Sequence, residues 1–223
     1  NPTRVSVDGG ESWTDYLVDE EHVTGAVPHH IGEGVVALGV DAGVVIAPAP
    51  DAPGTAVALP YEKQAGRNTD NTIKNLVGAG EQLIAIDTFG TVARASDALG
   101  PWEAGAPLPD DAELVWLGDR VLAMTFDGTT YWSFDGAQSW HAAGSGAKRG
   151  DYGSELDVAI ALGDGTVVAT AQGGIQLSCD LGASFETLSL PETGEAVGHL
   201  AAAGAGDVWV ASSYRLFRVE VGR

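Results

Sequence analysis

Two polar stretches hold most of the side chains able to grip a ligand. One runs Tyr61-Glu62-Lys63-Gln64-Ala65-Gly66-Arg67-Asn68-Thr69-Asp70-Asn71-Thr72-Ile73; the other is Ala142–Glu155, with Lys148-Arg149-Gly150-Asp151-Tyr152 at its heart. Of the chain's eleven Lys and Arg residues, five (Lys63, Arg67, Lys74, Lys148 and Arg149) fall in or beside these stretches, against a formal charge of −20. Guanidinium and ammonium groups, the amides of Asn68, Asn71 and Asn75, and the phenols of Tyr61 and Tyr152 make a polar lining suited to a sugar or an anionic group. The candidate ligand-binding set is Tyr61, Lys63, Arg67, Asn68, Asp70, Lys148, Arg149, Asp151 and Tyr152. A plainer explanation competes with it: long connections are polar anyway, and their cations neutralise neighbouring carboxylates.

Catalysis finds less support. A glycoside hydrolase needs two carboxylates across a cleft, one with a raised pKa. Asp41, Asp70, Asp87, Asp127, Asp151 and Glu155 lie in connecting segments, but a chain with 31 Asp and Glu residues offers such candidates by chance. No catalytic residue is assigned. His29-His30 with Glu33 is a poor metal site, because adjacent residues of an extended strand point to opposite faces. Asp70 and Asp151 lack the spacing of a Ca²⁺ loop. No nucleophile elbow or phosphate-cradling glycine loop is present, so neither metal nor cofactor is expected.

The elements that would hold these residues announce themselves through a repeated string. Ser6-Val7-Asp8-Gly9-Gly10-Glu11-Ser12-Trp13 sets a template of Ser6, Asp8, Gly10 and Trp13, here called the box. Ser133, Asp135 and Trp140 repeat it, with Ala137 in the glycine slot and Gly136 one place early. Ser178, Asp180, Gly182 and Phe185 repeat it with Phe for Trp. Asp97 and Trp102 keep the interval, with Ala95 for Ser and Gly100 one place late, and an eroded copy stands at Asp51. The aspartates at 8, 51, 97, 135 and 180 are 43, 46, 38 and 45 residues apart. That period fits one unit of about four strands, the repeat of a β-propeller. The box reads as a hairpin turn. Its carboxylate accepts backbone N–H bonds from residues further on, glycine supplies a positive φ, and the aromatic folds back as an apolar plug.

These boxes resemble the Asp-box (BNR) repeats of sialidase-like propellers, a superfamily that includes sortilin-type receptors, photosystem II assembly factors and several glycosidases. The resemblance implies a box between the third and fourth strands of each blade, on the face away from the usual active site. It implies little about activity. A sialidase of this kind has an early Arg-Ile-Pro-like motif, whereas Arg4 here leads through Val5 straight into the first box. Arg67, Arg149 and Arg215 are the only arginine triplet available, and no spacing supports it. Arg94 and Arg120 read as strand or turn residues.

Short apolar runs (Val35–Leu38, Leu83–Ile86, Val121–Met124 and Val167–Ala171) bounded by glycine or acidic residues read as strands of an all-β fold. Four units are legible, followed by three strands at His199–Ala203, Asp207–Ala211 and Arg215–Val221. Thr3–Val7 and Ser12–Leu17 supply a third and a fourth strand with nothing before them. The chain ends are complementary, so the expectation is one propeller domain over residues 1–223, with five blades closed by pairing of the termini. Six or seven blades follow if the sequence is incomplete. The charge argues against nucleic acid and anionic membranes, and no apolar span suits a bilayer. Cys179, inside a box, is expected to be small and buried, and Trp116, Trp132 and Trp209 to pack between blades. The function expected is a non-catalytic binding or assembly module for a protein or carbohydrate, with a glycoside hydrolase as the alternative. The resemblance suggests export.

Overall fold

Repeated antiparallel meanders account for almost every strand. The computed structural model describes residues 4–5, 11–15, 17–18, 21–22, 28–30, 36–40, 43–47, 54–60, 73–79, 82–87, 89–108, 112–125, 127–146, 159–171, 174–190, 197–203, 206–212 and 215–221. Strands β1 (Arg4–Val5) and β2 (Thr14–Asp15) pair across the first box, and β3 (Leu17–Val18) pairs with β4 (Glu21–His22). Four complete sheets follow in chain order. The first contains β5 (Pro28–His30), β6 (Val36–Val40), β7 (Gly43–Ala47) and β8 (Thr55–Ala58). The second contains β9 (Ile73–Ala79), β10 (Gln82–Asp87), β11 (Val92–Ala95) and β12 (Glu103–Ala104). The third is β13 (Ala112–Trp116), β14 (Val121–Thr125), β15 (Thr129–Ser133) and β16 (His141–Ser145). The fourth is β17 (Ala159–Ala161), β18 (Val167–Ala171), β19 (Gly174–Ser178) and β20 (Glu186–Ser189). A fifth sheet has three strands, β21 (Val197–Ala202), β22 (Asp207–Ser212) and β23 (Leu216–Glu220).

Two expectations change in detail. The first unit gains a strand at Pro28–His30, which puts His29 and His30 at consecutive strand positions. The pairing of the termini expected from the sequence does not appear among the described residues, where none joins β1 or β2 to β23.

The chain divides into two compact units, residues 1–108 with 136–138, and residues 109–135 with 139–223. Inside each unit, successive sheets stack face to face. In the first, Val44 and Ile46 of one sheet meet Leu76, Leu83 and Ala85 of the next, with the box residue Trp102 completing the core. In the second unit, Val115, Leu122 and Met124 pack on Val167 and Ala169, with Phe185 against them. A further core joins Val168 and Ile175 to Val208 and Val210. The middle strands are buried on both faces and so carry unbroken apolar runs, as in Val121–Met124 and Leu83–Ile86. Fourth strands such as Glu186–Ser189 are exposed throughout and correspondingly polar.

The boxes at Asp135 and Asp180 are the same turn with different residues in its two left-handed positions. Gly136 (φ 67) and Ala137 (φ 63) occupy them in one, Leu181 (φ 59) and Gly182 (φ 91) in the other. Each box therefore places one non-glycine residue where only glycine is unstrained. Space decides which slot must be glycine. A Cβ on Gly182 would lie 2.5 Å from Leu122 Cδ2, whereas one on Gly136 meets nothing within 4 Å.

Gly182→Ala is expected to cost roughly 3 kcal/mol, from a left-handed alanine and displacement of Leu122. Ala137→Gly should be neutral, or stabilising by up to about 1 kcal/mol, since it relieves the strain at the price of unfolded-state entropy. Denaturant titration of both variants checks the pair; equal effects would show that the turn tolerates either slot.

Candidate binding face

Each sheet has two ends, and strand register assigns every connection to one of them. Asp87 lies opposite Ile73, so the segment entering β9 emerges beside the turn between β10 and β11. Ser145 lies opposite Thr129, so the segment leaving β16 emerges beside the turn between β14 and β15. Residues 61–72 and 147–158 thus spring from the ends of their sheets that carry second-to-third-strand turns. The boxes occupy the opposite ends. All nine candidate ligand-binding residues (Tyr61, Lys63, Arg67, Asn68, Asp70, Lys148, Arg149, Asp151 and Tyr152) fall outside the described residues, as do Glu33, Asp41 and Glu155.

The turns flanking those segments employ two of the acids that a hydrolase would have to draw on. Asp87 Oδ1 accepts from Phe89 N and Thr91 N, both at 2.8 Å. Asp127 Oδ1 accepts from Thr125 Oγ1 at 2.7 Å and Thr129 N at 2.9 Å. The Thr125 hydroxyl, followed by Thr129, holds the Asp127 carboxyl below the usual carboxylate range. Each turn ends in a left-handed glycine, Gly90 (φ 78) or Gly128 (φ 85), followed by threonine. Asp164, Gly165 and Thr166 repeat the device at the other end of the fourth sheet, with Thr166 N 2.9 Å from Asp164 Oδ1. This second acidic turn, Asp-Gly-Thr in its shortest form, is visible in the sequence at 127–129 and 164–166. Asp87 differs from Asp127 in being fully buried, and its Oδ2 has no hydrogen-bond partner among the described residues. No group of three or more His, Cys, Asp or Glu suited to a metal occurs among the described residues.

At the opposite ends the box carboxylates act as the sequence predicts. Asp135 Oδ1 accepts from Ser133 Oγ (2.9 Å) and Ser139 N (3.0 Å), and Oδ2 from Ser139 Oγ (2.6 Å). Asp180 repeats this with Ser178 Oγ (2.7 Å), Ser184 N (2.8 Å) and Ser184 Oγ (2.6 Å). Asp97 does not. Four residues on stands Pro101, which has no N–H, so the carboxylate turns to Leu99 N at 2.9 Å. Gly100 keeps an ordinary φ, and Trp102 folds over the turn, its Nε1 donating to Ala98 O at 3.3 Å. Of the first box only Trp13 is described, and it is 59% exposed where Trp102 is 8% exposed; Ser6, Asp8 and Gly10 lie outside the described residues.

Two further expectations are corrected. Cys179 is exposed, because alternation along β19 sends Ser178 inward and the next residue outward. Phe134, at the same place in its box, is exposed too, with the Arg120 guanidinium 4.9 Å from its ring centroid. Trp209 is 40% exposed and does not pack between sheets. Trp132 does, its Nε1 donating to Leu181 O at 2.8 Å.

No protein-family profile matches the chain, and no curated protein matches it in sequence. Solved structures match its fold. YCF48 from Cyanidioschyzon merolae superposes with a TM-score of 0.66 at 12% identity, covering 96% of this chain and 75% of that one. YCF48 bound to D1 peptide gives 0.65 at 13% identity, over 97% of this chain and 70% of that one. The GH74 enzyme of Niastella koreensis gives 0.57 at 20% identity, over 87% of this chain and 28% of that one. The likeness establishes an all-β β-propeller.

Asp180 offers a direct test of the box. Partial burial raises its pKa, but hydrogen bonds from Ser184, side chain then backbone, and from Ser178 outweigh this, so the net shift is below 3.8. A lowered folded-state pKa gives stability that is complete above 3.8 and lost as pH falls through the lower folded value. Asp180→Ala should therefore cost roughly 1–2 kcal/mol at pH 7, less than for a buried group because the carboxylate is exposed. The gap from wild type should close in acid, below pH 3.8. Thermal melts from pH 2 to pH 7 check this, and a constant gap would remove the carboxylate from the account.

Proposed function

We propose that this protein is a non-catalytic binding or assembly module that recognises a protein segment or a glycan with the connections at 61–72 and 147–158. The observation that carries this reading is the register of β9–β10 and β15–β16, which brings each cation-bearing connection out beside its sheet's second-to-third-strand turn. Five of the eleven cations of a chain with formal charge −20 lie in or beside these connections, which favours a ligand with anionic or strongly polar character. Long connections on a rigid scaffold are the usual seat of recognition. The fold shared with a propeller solved bound to a peptide supports a protein ligand. The Asp-box resemblance supports an exported module, in the extracellular space or cell envelope.

Asp87 and Asp127 each spend a carboxylate oxygen on their own turn, which weighs against a pair of acids working across a cleft. The second reading, a glycoside hydrolase, keeps one specific observation in its favour: the buried Asp87 Oδ2, which no hydrogen-bond donor meets among the described residues.

The test uses the whole chain and a variant with Lys63, Arg67, Lys148 and Arg149 changed to Ser. Both are applied to glycan and peptide arrays and to a panel of chromogenic glycosides. Binding is expected for the native chain and should weaken at least tenfold in the variant, with an unchanged circular dichroism spectrum. No glycoside should be turned over. Turnover that disappears in Asp87→Asn would replace the binding reading with the hydrolase.

A further inference from the structure

Three sheets can be laid on one another through their boxes. Ala95, Ser133 and Ser178 stand opposite Leu83, Val121 and Val167 of the second strands. Four residues further on, the second strand ends at Asp87 in the second sheet, Thr125 in the third and Ala171 in the fourth. The turns after Asp87 and Thr125 close alike, with Gly90 N donating to Asp87 O at 3.2 Å and Gly128 N to Thr125 O at 3.0 Å. Both residues are fully buried. Thr125 does its work with a neutral hydroxyl, which donates to Asp127 Oδ1 and to Thr129 O. The fourth sheet has alanine at the same strand position. A buried carboxylate is therefore no requirement of this strand end, yet the second sheet has one.

Only half of that carboxylate is used by its turn. Oδ1 accepts from Phe89 N and Thr91 N, while Oδ2 meets no donor among the described residues. Strand alternation turns Asp87 to the same side as Leu83 and Ala85, towards the core that holds Val44, Ile46, Ile73 and Leu76. A negative charge among such side chains is strongly unfavourable unless something neutralises it. The ladder is irregular at this point. Ile86 lies opposite Asn75 but Asp87 lies opposite Ile73, so Lys74 is the extra residue of a β-bulge. A bulge draws main-chain carbonyls out of the regular ladder, and each carbonyl oxygen has two lone pairs. Neutral oxygens are thus at hand to complete a shell around a cation.

We propose that Asp87 Oδ2 binds a buried monovalent metal ion, sodium or potassium, beside the bulge of β9. One carboxylate and one such ion are neutral together, which suits an apolar core. A divalent ion would leave a buried positive charge, and no group of three acids, histidines or cysteines stands among the described residues to hold one. The formal charge of −20 concentrates cations around the chain and favours loading. The ion ties the end of β10 to the start of β9, and so braces the root of the connection at 61–72. Its binding needs no ligand on the recognition face. It also withdraws Asp87 from any hydrolytic role.

Thermal melts of the full chain in sodium, potassium and choline chloride test this, all at an ionic strength of about 0.15 M so that screening is constant. Choline is too large for the site. The native chain should melt about 3 °C lower in choline than in whichever alkali ion fits. Asp87→Thr combined with Phe89→Asp transplants the third sheet's turn and keeps the formal charge; its melting temperature should not depend on the salt. Asp87→Asn, which preserves the shape of the side chain, should behave likewise. The sodium magnetic resonance line should broaden with the native chain beyond its width with the double variant at equal concentration. A native chain that melts alike in all three salts overturns the proposal. So does a salt dependence shared by both variants. Dependence that appears only after Lys74→Gln would assign the oxygen to that ammonium group and overturn it equally.

Discussion

One carboxylate in each complete box decides how a strand pair ends and what the pair can touch. Asp180 gathers the hydroxyls of Ser178 and Ser184 and the Ser184 amide, while Ser178 Oγ also accepts from Gly182 N at 2.7 Å. With its amides bonded internally, the turn keeps two carbonyls for its neighbour. Leu181 O accepts from Trp132 and Gly182 O from Thr130, both at 2.8 Å. The box is thus a fastener between sheets as well as a hairpin turn. Its side-chain bonds determine which backbone atoms face the preceding sheet, where Leu122 fills the space left by the missing Cβ of Gly182. At the Asp135 box, Ala137 O accepts from Ala106 N at 2.7 Å.

That fastener explains why the fold was legible in the sequence. Asp, Ser and aromatic residues at fixed offsets report hydrogen bonds inside a few residues, and local rules suffice to read them. Ala137 took the left-handed conformation of the glycine it replaces, because the turn's bonds hold it there. The rule failed at Asp97, where Pro101 removes the amide that the carboxylate would otherwise take. It does not extend to Cys179, because strand alternation inside the motif turns that side chain outward. A serine that must point inward sends its neighbour outward.

The recognition face is legible only in part. Strand register, recoverable from the spacing of apolar runs and turns, fixes which end of a sheet each connection leaves. Which residues of a long polar connection meet a ligand depends on non-local contacts that no local pattern encodes. Acidic side chains present a related difficulty. An aspartate beside glycine and threonine looks available for chemistry by composition, yet Asp127 and Asp164 spend their oxygens on the chain that carries them. Asp87 shows that the two roles are separable, one oxygen being bound to its turn and the other not.

The exposed Trp13 has a consequence for how such a chain changes over time. Where a box aromatic is covered, as Trp102 is, any substitution must satisfy the sheet it rests on. Where it is exposed, as Trp13 is, that demand is weaker, and substitution at the position should cost the fold less.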